Sequence, residues 1–154
     1  MSALGDFFPE SFKDDFARRN LQIGTVLKLH VKDTSPPKEK RFIVVGKTID
    51  GVCFATVFIN SAINTNVNFS EELRQLHCLL PAAGRVYLEH DSFVDCSTIY
   101  VRGYAELYES LKNRPEAFLG VLDPKDLRMV RSTIVRSPKI KGRDKKRFGF
   151  FAEQ

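Results

Sequence analysis

The sequence predicts a mainly β chain of the α+β class: a small, strongly curved antiparallel barrel with a C-terminal helix and a short N-terminal helix. Three observations carry this. Five or six short apolar, β-branched runs follow one another between turn signals, as hairpin-linked antiparallel strands do. One segment, opened by Asp123-Pro124, has both a helix start signal and a helical apolar stripe. The 154 residues are 43% hydrophobic and 28% charged, enough apolar material for one core and too much for a disordered chain. On this reading residues 1–20 are an N-terminal helical extension, 21–138 the barrel with its helix, and 139–154 a basic, aromatic tail.

Each element has a local reason. Phe8, Phe12 and Phe16 recur every four residues and share one helical face, with Pro9 suited to the first turn. Thr25–Val31 alternates apolar and polar after Gly24, as a half-buried strand does. Asp33–Lys40 contains Pro36 and Pro37, which lack amide donors, and reads as a polar loop. Phe42–Val45 is a β-branched run suited to a buried strand. Asp50-Gly51 is a hairpin signal ahead of a strand over Val52–Ile59. A long asparagine-rich loop follows from Asn60 to Asn68.

Ser70-Glu71-Glu72-Leu73 reads as a capped helix start. Leu76–Leu80 fits either the continuation of that helix or a strand, and Pro81 ends it in both cases. Arg85–Glu89 and Ser92–Ala105 read as two more strands. Asp123 caps the last helix and Pro124 occupies its first position, where a missing donor costs nothing. Leu127, Val130 and Ile134 form its stripe, with Met129 at the margin, and Ser137-Pro138 ends it.

Several function classes drop out. The longest uncharged stretch, Val52–Ser70, holds five asparagine or threonine residues between positions 60 and 68 and is too polar to cross a bilayer. The N-terminus lacks the basic and apolar regions of a secretory signal. Cys53, Cys78 and Cys96 are unclustered and set among apolar residues, the pattern of reduced core cysteines in a cytoplasmic protein. The histidines His30, His77 and His90 lack zinc-ligand spacing. On a strand, His90 and Asp91 would point to opposite faces, which argues against an acid–base pair. No phosphate-cradling glycine motif and no nucleophile elbow is present, so neither a nucleotide cofactor nor a serine hydrolase is indicated. The expected cofactor and metal content is none.

The net charge of +5 is unevenly placed. Ten basic residues fall between Lys125 and Arg147, against Asp126 and Asp144 alone, which leaves the rest of the chain net acidic. Such asymmetry points to a polyanion or an acidic protein as partner, or to a solvated basic tail. In the tail, Lys139, Lys141, Arg143, Lys145, Lys146 and Arg147 are the candidates for electrostatic attraction to such a polyanion. Pro138 and Gly142 argue against a regular buried element there. Phe148, Phe150 and Phe151 either anchor the tail to the barrel or stack on a partner.

The order of these features resembles the MazF/PemK family of toxins, which includes Kid. A first strand begins at Gly24-Thr25-Val26, a polar loop covers 33–40, and a basic-led strand follows, Lys40-Arg41-Phe42-Ile43-Val44-Val45. A third strand ends Val57-Phe58-Ile59-Asn60-Ser61, and His90-Asp91-Ser92-Phe93-Val94-Asp95-Cys96-Ser97 looks like that family's later "DS-hydrophobic" strand. The resemblance spans roughly residues 24–137.

It implies an SH3-like barrel, a homodimer, a cognate antitoxin protein, and metal-independent, sequence-selective cleavage of single-stranded RNA. It also implies roles for an arginine opening the second strand, here Arg41, and for a hydroxyl residue closing the third, which falls on Asn60 or Ser61. Two departures are Phe42 in place of the proline usual after the arginine, and the lack of a threonine closing the third strand. A catalytically silent barrel binding a protein or nucleic acid is the alternative.

Physical logic agrees with an arginine here. When a ribose 2′-hydroxyl attacks its neighbouring phosphate, charge grows on the phosphoryl oxygens, and a planar, permanently charged guanidinium stabilises it. Lys38 and Lys40 would steer the backbone, and Asn64 and Asn66 carry amides suited to base edges.

Overall fold

The computed structural model describes residues 9–151. Its elements are α1 (Glu10–Asn20), β1 (Thr25–Val31), β2 (Lys38–Lys47), β3 (Cys53–Asn60), α2 (Glu71–Arg74), β4 (His77–Leu80), β5 (Ser92–Asp95), β6 (Tyr100–Gly103), α3 (Tyr104–Asn113), β7 (Phe118–Val121), α4 (Pro124–Arg136) and α5 (Gly142–Arg147). The class is α+β, and the strands form one curled antiparallel sheet in the order β4-β5-β3-β2-β1-β7, with β6 also paired to β3.

The sheet branches at β3. One edge of β3 pairs throughout with β2, while its other edge gives Cys53–Thr56 to β6 and Ile59–Asn60 to β5. Both faces are covered, because side chains alternate across a strand. Val26, Ile43, Val57, Ile59 and Val94 face a core closed by Val130 and Ile134 of α4. Leu27, Leu29, Phe42, Val44 and Phe58 face a second core closed by Ala17 of α1 and by Leu107 and Leu111 of α3.

Many expectations hold locally. Asp123 Oδ1 accepts the Asp126 amide at 2.8 Å with Pro124 behind it, Val130 and Ile134 are fully buried, and Met129 is exposed. Ser70 Oγ accepts the Leu73 amide, but α2 lasts only four residues, and His77–Leu80 is a strand rather than its continuation.

Other expectations need correction. Lys38–Lys40 is not loop: it pairs with Leu29–Val31, since both prolines precede it and block nothing. Arg85–Glu89 is not a strand. It is folded into turns by Arg85 N to Ala82 O and Leu88 N to Arg85 O bonds, around Gly84 at φ +75°. The Arg85 guanidinium grips both oxygens of Asp126 at 2.9 and 3.0 Å, tying the segment to the start of α4. The stretch Ser92–Ala105 breaks into β5 and β6 and then enters α3, whose Tyr104, Leu107, Tyr108 and Leu111 recur at helical spacing. In α1, Phe12 is exposed and Ala17 is the residue fully buried, because the helix leans on α3 through Asp14 and Glu10 and on Phe118 of β7 through Phe16. Phe8 lies outside the described residues.

The C-terminal segment differs most. Residues 142–147 form α5, and Ile140, Phe148 and Phe150 on either side of it are buried in the first core. The segment packs so closely that a Cβ on Gly46 would meet the Phe148 carbonyl oxygen at 2.7 Å. Lys47 N donates to that same carbonyl at 3.2 Å. Arg131 of α4 completes the join. Its guanidinium donates to the Val45 carbonyl and, at 2.8 Å, to the Gly149 carbonyl, and lies 4.9 Å over the Phe150 ring.

Among the described residues no helix is long and apolar enough to cross a membrane. The three cysteines are free, with the buried Cys78 and Cys96 thiols 3.9 Å apart and Cys53 half-buried.

A candidate nucleic-acid cleft at the ends of β2, β3 and β5

Strand register decides which side chains meet. Arg41 pairs with Ile59, and Ile59 pairs with Val94, so these three share one face. Two residues further along that face lie Ser61, just past β3, and Ser92, the first residue of β5. Lys40 and Asn60 belong to the opposite face, with Phe42 and Phe58. By alternation Ser61 shares the face of Arg41, while Asn60 lies on the other face and accepts a hydrogen bond from Lys40 Nζ.

These ends surround a cleft of about 200 Å³, lined by Lys38, Lys40, Arg41, Ser61, His90 and Ser92, with Glu39, Ile59 and Asn60 completing its wall. A somewhat larger concavity of about 280 Å³ lies elsewhere, between β1, β6 and α3. Its buried arginine, Arg102, is already committed: it pairs with Asp33 at 2.8 Å, donates to Thr56 Oγ1 at 3.1 Å and stacks over Phe42. That arginine pins the start of the β1–β2 loop rather than waiting for a ligand.

Arg41 is held by the segment between β4 and β5. Its Nε donates to the Tyr87 carbonyl at 3.2 Å, and its Nη2 lies 3.2 Å from Glu89 Oε1. The arginine side chain is 21% exposed and the glutamate 74%. A bond from an exposed carboxylate is worth about 0–1 kcal/mol, so a phosphate can displace it, while the backbone bond keeps the guanidinium oriented. Lys40 is half-buried, 5.2 Å above the Phe58 ring. Burial, and then Lys38, hold its ammonium below the ordinary lysine range, with Asp95 opposing.

The structure brings together five of the predicted residues, Arg41, Asn60, Ser61, Lys38 and Lys40, and leaves the others apart. Asn64 and Asn66 do not line the cleft. Asn64 Oδ1 accepts the Asn66 amide at 3.0 Å and the Asn64 carbonyl accepts from Asn68, so this loop is braced by its own turn. The C-terminal cations do not line it either, and one is not available to a ligand. Lys145 Nζ donates to the Val135 carbonyl at 2.7 Å and the Ser137 carbonyl at 2.9 Å, which caps the C-terminus of α4. Lys139, Lys141, Arg143, Lys146 and Arg147 remain exposed, Arg147 resting 4.8 Å over Phe148.

His90, Ser92, Glu89 and Tyr87 were missed by sequence reasoning. The alternation argument against His90 presumed a strand, yet β5 begins only at Ser92. Pairing β3 with β5 would have exposed Ser92 as the neighbour of Ser61. Among the described residues, no three His, Cys, Asp or Glu side chains gather as metal donors. Fold and cleft together define a small α+β antiparallel barrel with an arginine-centred cleft at its strand ends. No family model matches the chain, and no curated protein sequence matches it.

Proposed function

We propose that this protein is a metal-independent, sequence-selective endoribonuclease of the MazF/PemK (Kid-like) kind, the toxin of a toxin–antitoxin pair acting on single-stranded RNA in the cytoplasm. The observation that carries the reading is the cleft itself. A preoriented guanidinium, a hydroxyl on the same face and two lysines converge where a phosphate with its ribose would fit. In the reaction the 2′-oxygen attacks the adjacent phosphorus and the 5′-oxygen leaves, giving a 2′,3′-cyclic phosphate and a 5′-hydroxyl end. Arg41 neutralises the phosphoryl oxygens as charge grows, and Ser61 donates a hydrogen bond to one of them. Lys38 and Lys40 hold the flanking backbone. A symmetric homodimer and an antitoxin whose acidic segment covers the basic surface complete the proposal.

The test is incubation of the purified chain with a long single-stranded RNA in chelator, with new 5′ ends mapped. Breaks clustered at one short sequence and bearing 5′-hydroxyls are expected; intact RNA at high enzyme concentration would refute the reading. Light scattering tests the dimer, which requires twice the 17.6 kDa chain mass.

A second reading, the catalytically silent barrel that binds a protein or nucleic acid, is favoured by one observation. Tyr87 and Glu89 already engage Arg41, as they would an arginine of purely structural use. RNA binding without breaks distinguishes it.

A further inference from the structure

The cleft holds one group that the proposed reaction has not yet used, and its geometry is specific. His90 lines the same cavity as Arg41 and Ser61, and it is exposed. Its Nδ1 lies 3.0 Å from the Asp91 carbonyl oxygen. A carbonyl only accepts, so Nδ1 carries the hydrogen. Ser92 agrees with this assignment. Its hydroxyl donates to the His90 carbonyl at 2.9 Å, which leaves oxygen lone pairs toward Nδ1 at 3.3 Å. In its neutral form such a ring has its remaining lone pair on Nε2, which makes no hydrogen bond among the described residues. Fixing one imidazole nitrogen as donor is how proteins aim the other as an acceptor.

Lys40 and the two nearby carboxylates are already engaged. Lys40 donates to Asn60 on the opposite face of the sheet, Glu39 faces Arg114 at 3.5 Å, and Glu89 faces Arg41. His77 is buried on β4, 3.8 Å from Asp95 and away from the cleft.

We infer that His90 is the proton acceptor of the cleft, taking the 2′-hydroxyl proton of the nucleotide whose phosphate Arg41 binds. The inference rests on the ribonuclease reading above. The step balances without a redox partner. The O2′–H proton moves to Nε2, the O2′–P bond forms, the P–O5′ bond breaks, and the departing oxygen takes a proton from water. The imidazolium then returns its proton to solvent. Ser92 and the Asp91 carbonyl act as positioning groups, because both sit against Nδ1, on the side of the ring away from the accepting nitrogen.

The test uses His90→Gln, single-turnover cleavage across pH, and two substrates: ordinary RNA and RNA with sulfur replacing the 5′-bridging oxygen at the cleaved bond. Positioned acid–base groups contribute typically about 10²–10⁴-fold. We expect H90Q to lose about 10²-fold in rate, and to lose the pH dependence of rate that an imidazole base confers on the parent. The loss should persist on the sulfur substrate, whose thiolate leaves without a proton. Binding of a 2′-deoxy substrate and the unfolding midpoint should match the parent, because the ring is exposed. Parent-like rate and pH profile in H90Q would overturn the inference while leaving the ribonuclease reading standing. Recovery on the sulfur substrate would overturn it too, by making His90 the proton donor. A parent protein that cleaves neither RNA would remove both claims.

Discussion

At the strand-end cleft, Arg41 gives Nε to the Tyr87 carbonyl and presents its other nitrogens to an exposed glutamate. At the C-terminal segment, Arg131 gives two nitrogens to carbonyls from two different segments and is 6% exposed over an aromatic ring. Burial alone holds the Arg131 guanidinium somewhat below the ordinary arginine range. The first arginine retains donors that a ligand can claim; the second has spent them on the fold. The density of basic residues along the chain points the other way, since the C-terminal stretch is by far the more basic. What locates a site is unsaturated hydrogen-bonding capacity at a concave surface, not the count of charges.

The sharpest way to break this contrast is to exchange the expected phenotypes of the two arginines. Arg41→Ala should lower RNA cleavage by about 10²–10³-fold, the usual loss for one preorganised charge stabiliser, with the unfolding midpoint unchanged. A stability loss without a rate loss would assign Arg41 to the fold. Arg131→Met should do the opposite. It strands the buried Val45 carbonyl, at about 1–3 kcal/mol for an unsatisfied group, and leaves the part-buried Gly149 carbonyl without its donor, measured by urea unfolding. Cleavage per folded molecule should stay at the parent level.

Within the C-terminal segment the lysines divide in the same way. Lys145→Ala uncaps α4 and should cost about 1 kcal/mol in urea unfolding with no change in the salt dependence of RNA binding. Neutralising Lys139, Lys141, Arg143 and Lys146 together should leave stability alone. If RNA tracks over α5, it should flatten the slope of log affinity against log salt by about two to three units, near 0.7 per phosphate contact on a single strand. An unchanged slope would confine RNA to the cleft. The smallest expected effect is at Glu89. Replacing it with glutamine removes the competitor for Arg41 and should raise RNA affinity by at most about fivefold, given the worth of an exposed ion pair. Weaker binding would mean that Glu89 helps to present the guanidinium.

Legibility in the sequence followed the range of the forces involved. The cap at Asp123, the turn at Asp50-Gly51 and the buried run Phe42–Val45 were readable because their causes lie within a few residues. Arg85–Glu89 looked like a strand and is not, because the Arg85–Asp126 pair and the turn at Gly84 outweigh its β propensity. β7 is a strand although Gly120 sits within it, because β1 offers a partner edge. The tail looked solvated, and its phenylalanines were readable only as anchors or stackers. Contact with Gly46, Lys47 and Arg131 decides for anchoring at Phe148 and Phe150. Phe151 stays exposed.

For the cleft, residue order alone supplied the kinds of group available: an arginine in the first half of one strand, with a polar pair at the end of the next. It could not say that these ends lie side by side, nor that Ser61 rather than Asn60 shares the arginine's face. That depends on the register of β2 against β3, and a one-residue slip would have exchanged the two. Nor could it bring in His90, thirty-one residues beyond Ile59 in numbering. Its arrival beside Arg41 depends on the short β3–β5 pairing and on the turns before β5 that hold Tyr87, Glu89 and His90 over the sheet end. Periodicity and caps act between neighbours in the chain, so a sequence displays them. A cleft is made of segments brought together by sheet pairing and core burial, and only the tertiary structure fixes which side chains meet there.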